Sequence, residues 1–316
     1  MAVRPEYLEK GLLGLSRAHL VDGMTGHLGA TLVVGYLFSK EHGELDRKVH
    51  AGIEKELDRV LNGESVFDPG EGGSVKTSEL FVPYPDEAMQ EDQIDCIAHV
   101  LSRNIGETRS SGHNVIFASL SIRALQKYPR HATSSIIDGI CRLIEGFDRA
   151  SAGSGYYGRE RGRIDGDMIT LPEHPDFPPY SNPEGMIEAV LDELIETAAE
   201  RRQGFGGLWH VINHAASLID LSECGYHDLA QEGLEAHHRH VRLWRSLPNV
   251  EDELGTETPV EEDPCTPVYW ESGALRRDRA RLTHRIKTLY GFHRLARLVD
   301  DTTRLQRARD AFRYLM

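Results

Sequence analysis

His113-Asn-Val-Ile-Phe-Ala-Ser-Leu-Ser-Ile-Arg-Ala-Leu125 is apolar on nearly every side of a helical period, the pattern of a helix buried among other helices. Two further stretches share it: His27-Leu-Gly-Ala-Thr-Leu-Val-Val-Gly-Tyr-Leu37 and His210-Val-Ile-Asn-His-Ala-Ala-Ser-Leu-Ile-Asp-Leu221. Each opens on a histidine that follows a glycine or a bulky aromatic residue, as does Phe292-His293. The four histidines are separated by 86, 97 and 83 residues, a spacing that suggests a degenerate internal repeat. Such a repeat would stack four imidazoles at one level of a helical assembly.

Working outward, helical periodicity dominates and strict alternation never persists, so the chain reads as all-α. Three helices recur per unit: 5–19, 24–41 and 44–62; 88–103, 111–127 and 131–147; 184–202, 208–223 and 226–246; and a compressed set at 275–289, 291–300 and 302–316. Asp22 is a candidate N-cap and Gly43 a stop signal; Asn182-Pro183 opens a helix and Pro248 follows the end of one. The expected organisation is a single all-α domain over 1–316, with repeat units 5–62, 88–147, 184–246 and 275–316. Long polar connections at 63–87, 148–183 and 247–274 separate the units, and loops of such length in a compact domain usually carry function or lack order.

Helix number and repeat spacing make the chain resemble the α/α-toroid architecture of terpenoid cyclases, lanthionine synthetase-like proteins and six-hairpin carbohydrate enzymes. The resemblance implies a closed ring of helices with the middle helices facing inward. It carries no activity: the Trp-Cys and Cys-His-Gly zinc pattern of the lanthionine synthetase-like proteins is absent from this sequence.

Composition narrows the function. A formal net charge of -14 argues against a nucleic-acid partner, because phosphate binding draws on Lys and Arg. No stretch approaches about eighteen uncharged apolar residues, and acidic residues interrupt the N-terminal region, so a cytoplasmic protein without a membrane span is expected. Cys96, Cys141, Cys224 and Cys265 show no Cys-x-x-Cys spacing and read as buried, reduced thiols.

His210 and His214 stand four apart, which puts both rings on one helix face. With His27, His113 and His293 they form the candidate metal ligands; Zn, Fe, Mn and Cu all accept imidazole. Val211 occupies the position where a zincin has Glu, so that protease class is not supported. Histidines near a helix start also serve as ordinary hydrogen-bonding residues, and it is their recurrence that favours a shared pocket.

The segment Gly153-Ser-Gly-Tyr-Tyr-Gly-Arg-Glu-Arg-Gly-Arg-Ile-Asp-Gly-Asp167 reads as a substrate-contacting lid or as a solvated loop of locally paired charges. It offers Tyr156, Tyr157, Asp165 and Asp167, with Asn213, as candidate catalytic groups, and Arg159 and Arg161, with Arg109, Asn114 and Trp209, as substrate contacts. Its glycine spacing matches no phosphate loop, so no nucleotide cofactor is implied. His237 and His240 lie at ligand-compatible spacing, but the Leu234, Val241 and Trp244 stripe makes them read as flanking residues. Arg276-Arg-Asp-Arg-Ala-Arg-Leu-Thr-His284 reads as a basic helix face.

Three functions follow. The first is an enzyme with a His-lined pocket, metal-assisted, performing hydrolytic or oxidative chemistry on a small organic or sugar-like substrate. The second is a metal-free acid/base lyase or hydrolase acting on a carbohydrate, with His214, Asn213 and Tyr156 or Tyr157 as its groups. The third is a non-enzymatic helical-repeat interaction protein. The compressed fourth unit could form a contact in an oligomer.

Overall fold

A computed structural model describes residues 3–64, 77–172, 177–271 and 279–316. The chain is all-α. Its helices among these residues are α1 (Glu6–Ala18), α2 (Gly26–Glu41), α3 (Arg47–Leu61), α4 (Thr77–Leu80), α5 (Asp95–Leu101), α6 (His113–Lys127), α7 (Ser134–Glu145), α8 (Pro183–Thr197), α9 (Gly207–Glu223), α10 (His227–Arg245), α11 (Glu251–Leu254), α12 (Pro267–Glu271), α13 (Arg279–Ala296) and α14 (Thr302–Phe312). An antiparallel hairpin, β1 (Ser154–Tyr156) and β2 (Arg163–Asp165), lies between α7 and α8. None of the described helices is long and apolar enough to cross a membrane.

Capping follows the sequence closely. The Asn182 side chain accepts from Gly185 N with Pro183 in the first helical turn, and the Asp46 and Asp301 side chains cap α3 and α14. Asp22 caps the short 3₁₀ turn Gly23–Thr25 that leads into α2. Two expected elements differ. The helices expected at 275–289 and 291–300 are one continuous helix over the described part, because Gly291 serves packing rather than termination: a Cβ there would lie 2.6 Å from Asn213 Oδ1. Residues 88–94 are not part of a long helix, since Gln90 N donates to Ala132 O and Met89 pairs with Thr133. The basic stretch from Arg276 lies partly outside the described residues, which resume at 279.

Backbone contacts gather into two compact units, residues 1–100, 117–146 and 262–290 in the first and 101–116, 147–261 and 291–316 in the second. In the first unit α1 and α2 pack backbone to backbone through Gly11, Gly14 and Gly29. Gly52 of α3 lies against the Trp270 ring of α12, and the buried ion pair Arg285–Glu56 (3.0 Å) joins α13 to α3. A Cβ on Gly29 would run into Leu15 N and Gly11 O, atoms that cannot turn aside. Gly29→Ala is therefore expected to destabilise the protein by about 3 kcal/mol. Denaturant unfolding checks this, and a loss below about 0.5 kcal/mol would contradict the close packing.

In the second unit α10 packs on α9 and α14 on α8, the latter clamped by Arg304 to both carboxylate oxygens of Asp192 at 3.0 and 2.8 Å. The indole N–H groups of Trp209 and Trp244 donate to Leu315 O and Thr197 Oγ1. The four cysteines are free thiols as expected, but none is fully buried, and Cys96 is exposed.

Candidate functional site

Two unusual turns organise the second unit. Before α6, Ser110, Ser111 and Gly112 have φ of 44°, 59° and 84°; before α9, Phe205, Gly206 and Gly207 have 49°, 71° and 65°. Serine and phenylalanine in this left-handed region carry strain, so neighbouring structure must hold them there. Residues 151–154, which lead into the glycine-rich segment, do this. Ser110 N and Ser111 N donate to Ser151 O and Ala152 O at 2.7 and 3.0 Å, and Phe205 N donates to Ser154 O at 2.9 Å. Gly155 and Gly204 permit the close backbone approach on which this arrangement depends.

The carbonyls presented by these turns receive imidazole N–H groups. His113 Nδ1 donates to Ser110 O, His210 Nδ1 to Ser111 O (3.2 Å) and His240 Nε2 to Phe205 O (2.8 Å). His237 Nε2 donates to Val211 O at 3.0 Å. A carbonyl can only accept, so each contact fixes the tautomer and makes the ring's other nitrogen a lone-pair bearer in the neutral form. His214 Nδ1 lies 3.3 Å from His240 Nδ1, which must accept because His240 donates through Nε2. His214 Nε2 therefore carries a lone pair; it and His237 Nδ1 are buried without a hydrogen-bond partner among the described residues.

Burial keeps the His214, His237 and His240 rings uncharged. It drives His214 well below the ordinary histidine range, with the neighbouring His237, His240 and His113 acting in the same direction. Burial and the adjacent His240 lower His237 to about 3, and burial lowers His240 to about 4. Ring centroids are 4.5 Å apart for His113–His210, 5.1 Å for His214–His237 and 5.6 Å for His214–His240. Among these five, no three bring ring nitrogens within 4.8 Å of one another. Gly112 and Gly206 leave the rings room, since a Cβ on Gly112 would lie 2.7 Å from His214 Cγ and one on Gly206 would collide with the His210 ring.

A cavity of about 1190 Å³ in the same unit is lined by Phe177, Tyr180, Leu234, His238, Arg239 and Arg242, among others. Tyr180 connects it to the cluster, with its ring centroid 5.7 Å from that of His237. The Tyr180 hydroxyl is buried and has no hydrogen-bond partner among the described residues.

His113, His210 and His214 thus come together, while His27 belongs to the first unit. There it stands 4.7 Å from the His284 ring, and its Nδ1 meets the Lys287 amine. His293 is half-buried on α13 beside Phe292. Asn213 is buried at Gly291, and Asn114 Nδ2 donates to Asn104 O and Oδ1. Arg109 donates to Ala150 O and pairs with Glu107, while Trp209 is tied to Leu315 O. Tyr156 and Tyr157 bond to Glu253 and Ser246 at 2.7 and 2.6 Å. Asp165 accepts from Asp167 N, and exposed Asp167 pairs with Arg239. Arg159 N donates to Glu253, and exposed Arg161 covers the Tyr157 ring. These contacts of the glycine-rich segment hold the hairpin together.

His237 and His240, read from sequence as flanking residues, are fully buried in the cluster. Their signal was the spacing with Leu234, Val241 and Trp244, which places them on the packed face of α10. His284 and Lys287 carried no comparable signal. Comparison with known proteins finds no matching family model, no matching curated protein and no matching solved structure.

Proposed function

We propose that this chain is an enzyme whose second-unit histidines His113, His210, His214 and His237 hold a divalent transition metal for hydrolytic or oxidative chemistry on a small organic or sugar-like substrate, with His240 orienting the His214 ring. The observation that carries the proposal is His214 Nε2, a fully buried lone-pair nitrogen among four rings whose opposite nitrogens donate to backbone carbonyls or, for His214 itself, to His240. Donation to a carbonyl is the usual device that orients a metal-binding imidazole. Rings that stay neutral at pH 7 also present no proton for a metal to displace.

The centroid separations of 4.5 Å for His113–His210 and 5.1 Å for His214–His237 match those of imidazoles sharing one tetrahedral ion, about 5 Å by simple geometry. Since three nitrogens do not converge within 4.8 Å, metal binding must draw the rings inward. A metal-free acid/base role is less well supported, because a catalytic base works best with a pKa near the operating pH, far above the values of about 3 and 4 for His237 and His240. The cavity beyond Tyr180 would take the substrate. The proposal retains the α/α-toroid arrangement, the cytoplasmic location and an oligomer contact as expectations from the sequence.

Protein purified without tag or chelator is expected to contain close to one Zn, Fe, Mn or Cu per chain. The double variant His210→Ala/His214→Ala should lose at least nine-tenths of it while keeping its far-UV dichroism. Metal-free protein even after reconstitution, or unchanged metal in the double variant, would sink the proposal.

A further inference from the structure

We infer that the cavity of the second unit binds a short peptide of about three residues, with its ammonium end at Glu232 and Glu235 and its carboxylate end at Arg239 and Arg242. The inference names the substrate class of the proposed reaction and rests on that reading for turnover, whereas binding rests on the cavity alone.

One wall of the cavity is a face of α10 that carries opposite charges at its two ends. Glu232 and Arg239 are seven residues apart, as are Glu235 and Arg242, which places each pair on one helix face about 10 Å apart along the axis. The surroundings of the two ends differ as well. A Cβ on Gly106 would lie 3.6 Å from Glu232 Oε1, and Glu107 also lines the cavity, whereas Arg242 Nη2 donates to Leu171 O at 2.9 Å. Glu232 and Glu235 have no hydrogen-bond or ion-pair partner among the described residues, and Arg242 has only carbonyl partners there. Arg239 lies four residues after Glu235, the spacing of a helical ion pair, yet it pairs with exposed Asp167 at 3.3 Å and leaves Glu235 unpaired.

The lining also includes Ile169, Leu171, Leu234 and Phe177, apolar groups suited to peptide side chains. In an extended peptide each residue spans about 3.3–3.6 Å, so three residues hold the terminal charges about 10 Å apart, the separation of the charges on α10. A dicarboxylate or a diamine matches one end of this face and is repelled at the other, and an uncharged sugar uses neither. Hydrolysis of such a peptide breaks one amide C–N bond, joins the oxygen of water to the carbonyl carbon and passes a proton to the departing amine. No oxidant or reductant is consumed.

The test is calorimetric titration of the intact chain with tri-leucine at pH 7, where both peptide ends are mostly charged, with chelator present. Tri-leucine should bind at one site per chain. N-acetyl-tri-leucine and tri-leucine amide, which each lack one charge, should bind about tenfold or more weakly. Glu232→Gln/Glu235→Gln, at exposed positions, should weaken tri-leucine by a similar factor and leave the affinity of the acetylated peptide unchanged. Failure of tri-leucine to bind at millimolar concentration would overturn the assignment, as would capped peptides that bind equally well or a double variant that loses both peptides alike. Metal content is measured separately: its absence leaves this titration as it stands, and failure of the titration leaves the metal count untouched.

Discussion

Lowering the pH from 7 to 5 is expected to destabilise the second unit by about 4 kcal/mol or more. Unfolded histidine titrates near 6.5, whereas folding lowers His237 to about 3 and His240 to about 4. Between those limits the unfolded chain binds more protons than the folded one, so stability is fully present above about pH 6.5 and is lost as the pH falls. At pH 5 each of the two rings accounts for about 2 kcal/mol, and His214 adds to the loss. That sum rivals the net stability of a whole domain, about 5–15 kcal/mol. Glu56, in the first unit, works the other way: burial raises it to about 7 against the opposing influence of Arg285, so its contribution is lost as the pH rises from about 4.5 towards 7. Hydrogen exchange of α9 and α10 amides at the two pH values, corrected for intrinsic rates and run with chelator, separates the units. Protection in these helices that is flat or greater at pH 5 would refute the account of the cluster.

Arg294→Met is expected to cost about 3–5 kcal/mol, because it strands a carboxylate inside the second unit. Arg294 Nε and Nη2 lie 2.7 and 2.6 Å from Asp220 Oδ1, and the two side chains are 4% and 0% exposed. The cost comes from the unpaired charge left behind rather than from the net worth of the pair. The double variant Arg294→Met/Asp220→Leu should accordingly recover most of the loss. Denaturant unfolding of the single and double variants tests this. A single-variant loss below about 1 kcal/mol, or a double variant no better than the single, would show that Asp220 is not stranded.

Much of the helical fold was legible because periodicity and caps agree. Asn182-Pro183, Gly43 and Pro248 mark real boundaries, and the three apolar stretches starting at His27, His113 and His210 are α2, α6 and α9. What misled was glycine, which ends helices but also lets them touch. Gly291 does the second, so α13 runs through it. The segment 153–167 reads from sequence either as a substrate-contacting lid or as a solvated loop; its glycines build a hairpin, and Ser154 O within it holds the strained turn at Phe205. At the site, His113 and His210 stood out by their position at helix starts, and His214 by standing four residues after His210. His237 and His240 were hidden in a run of histidines and arginines where only packing separates the buried rings from the exposed residues.

The tryptophans give the molecule separate optical gauges. The chain has three, with Trp270 in the first unit and Trp209 and Trp244 in the second. Trp270 is buried against Gly52 with its N–H on Pro264 O, while Trp244 is buried beside Thr197. With the two second-unit indoles replaced by phenylalanine, the remaining emission belongs to the first unit alone; with Trp270 replaced, it belongs to the second. Fluorescence can then follow each half of the chain without any attached dye.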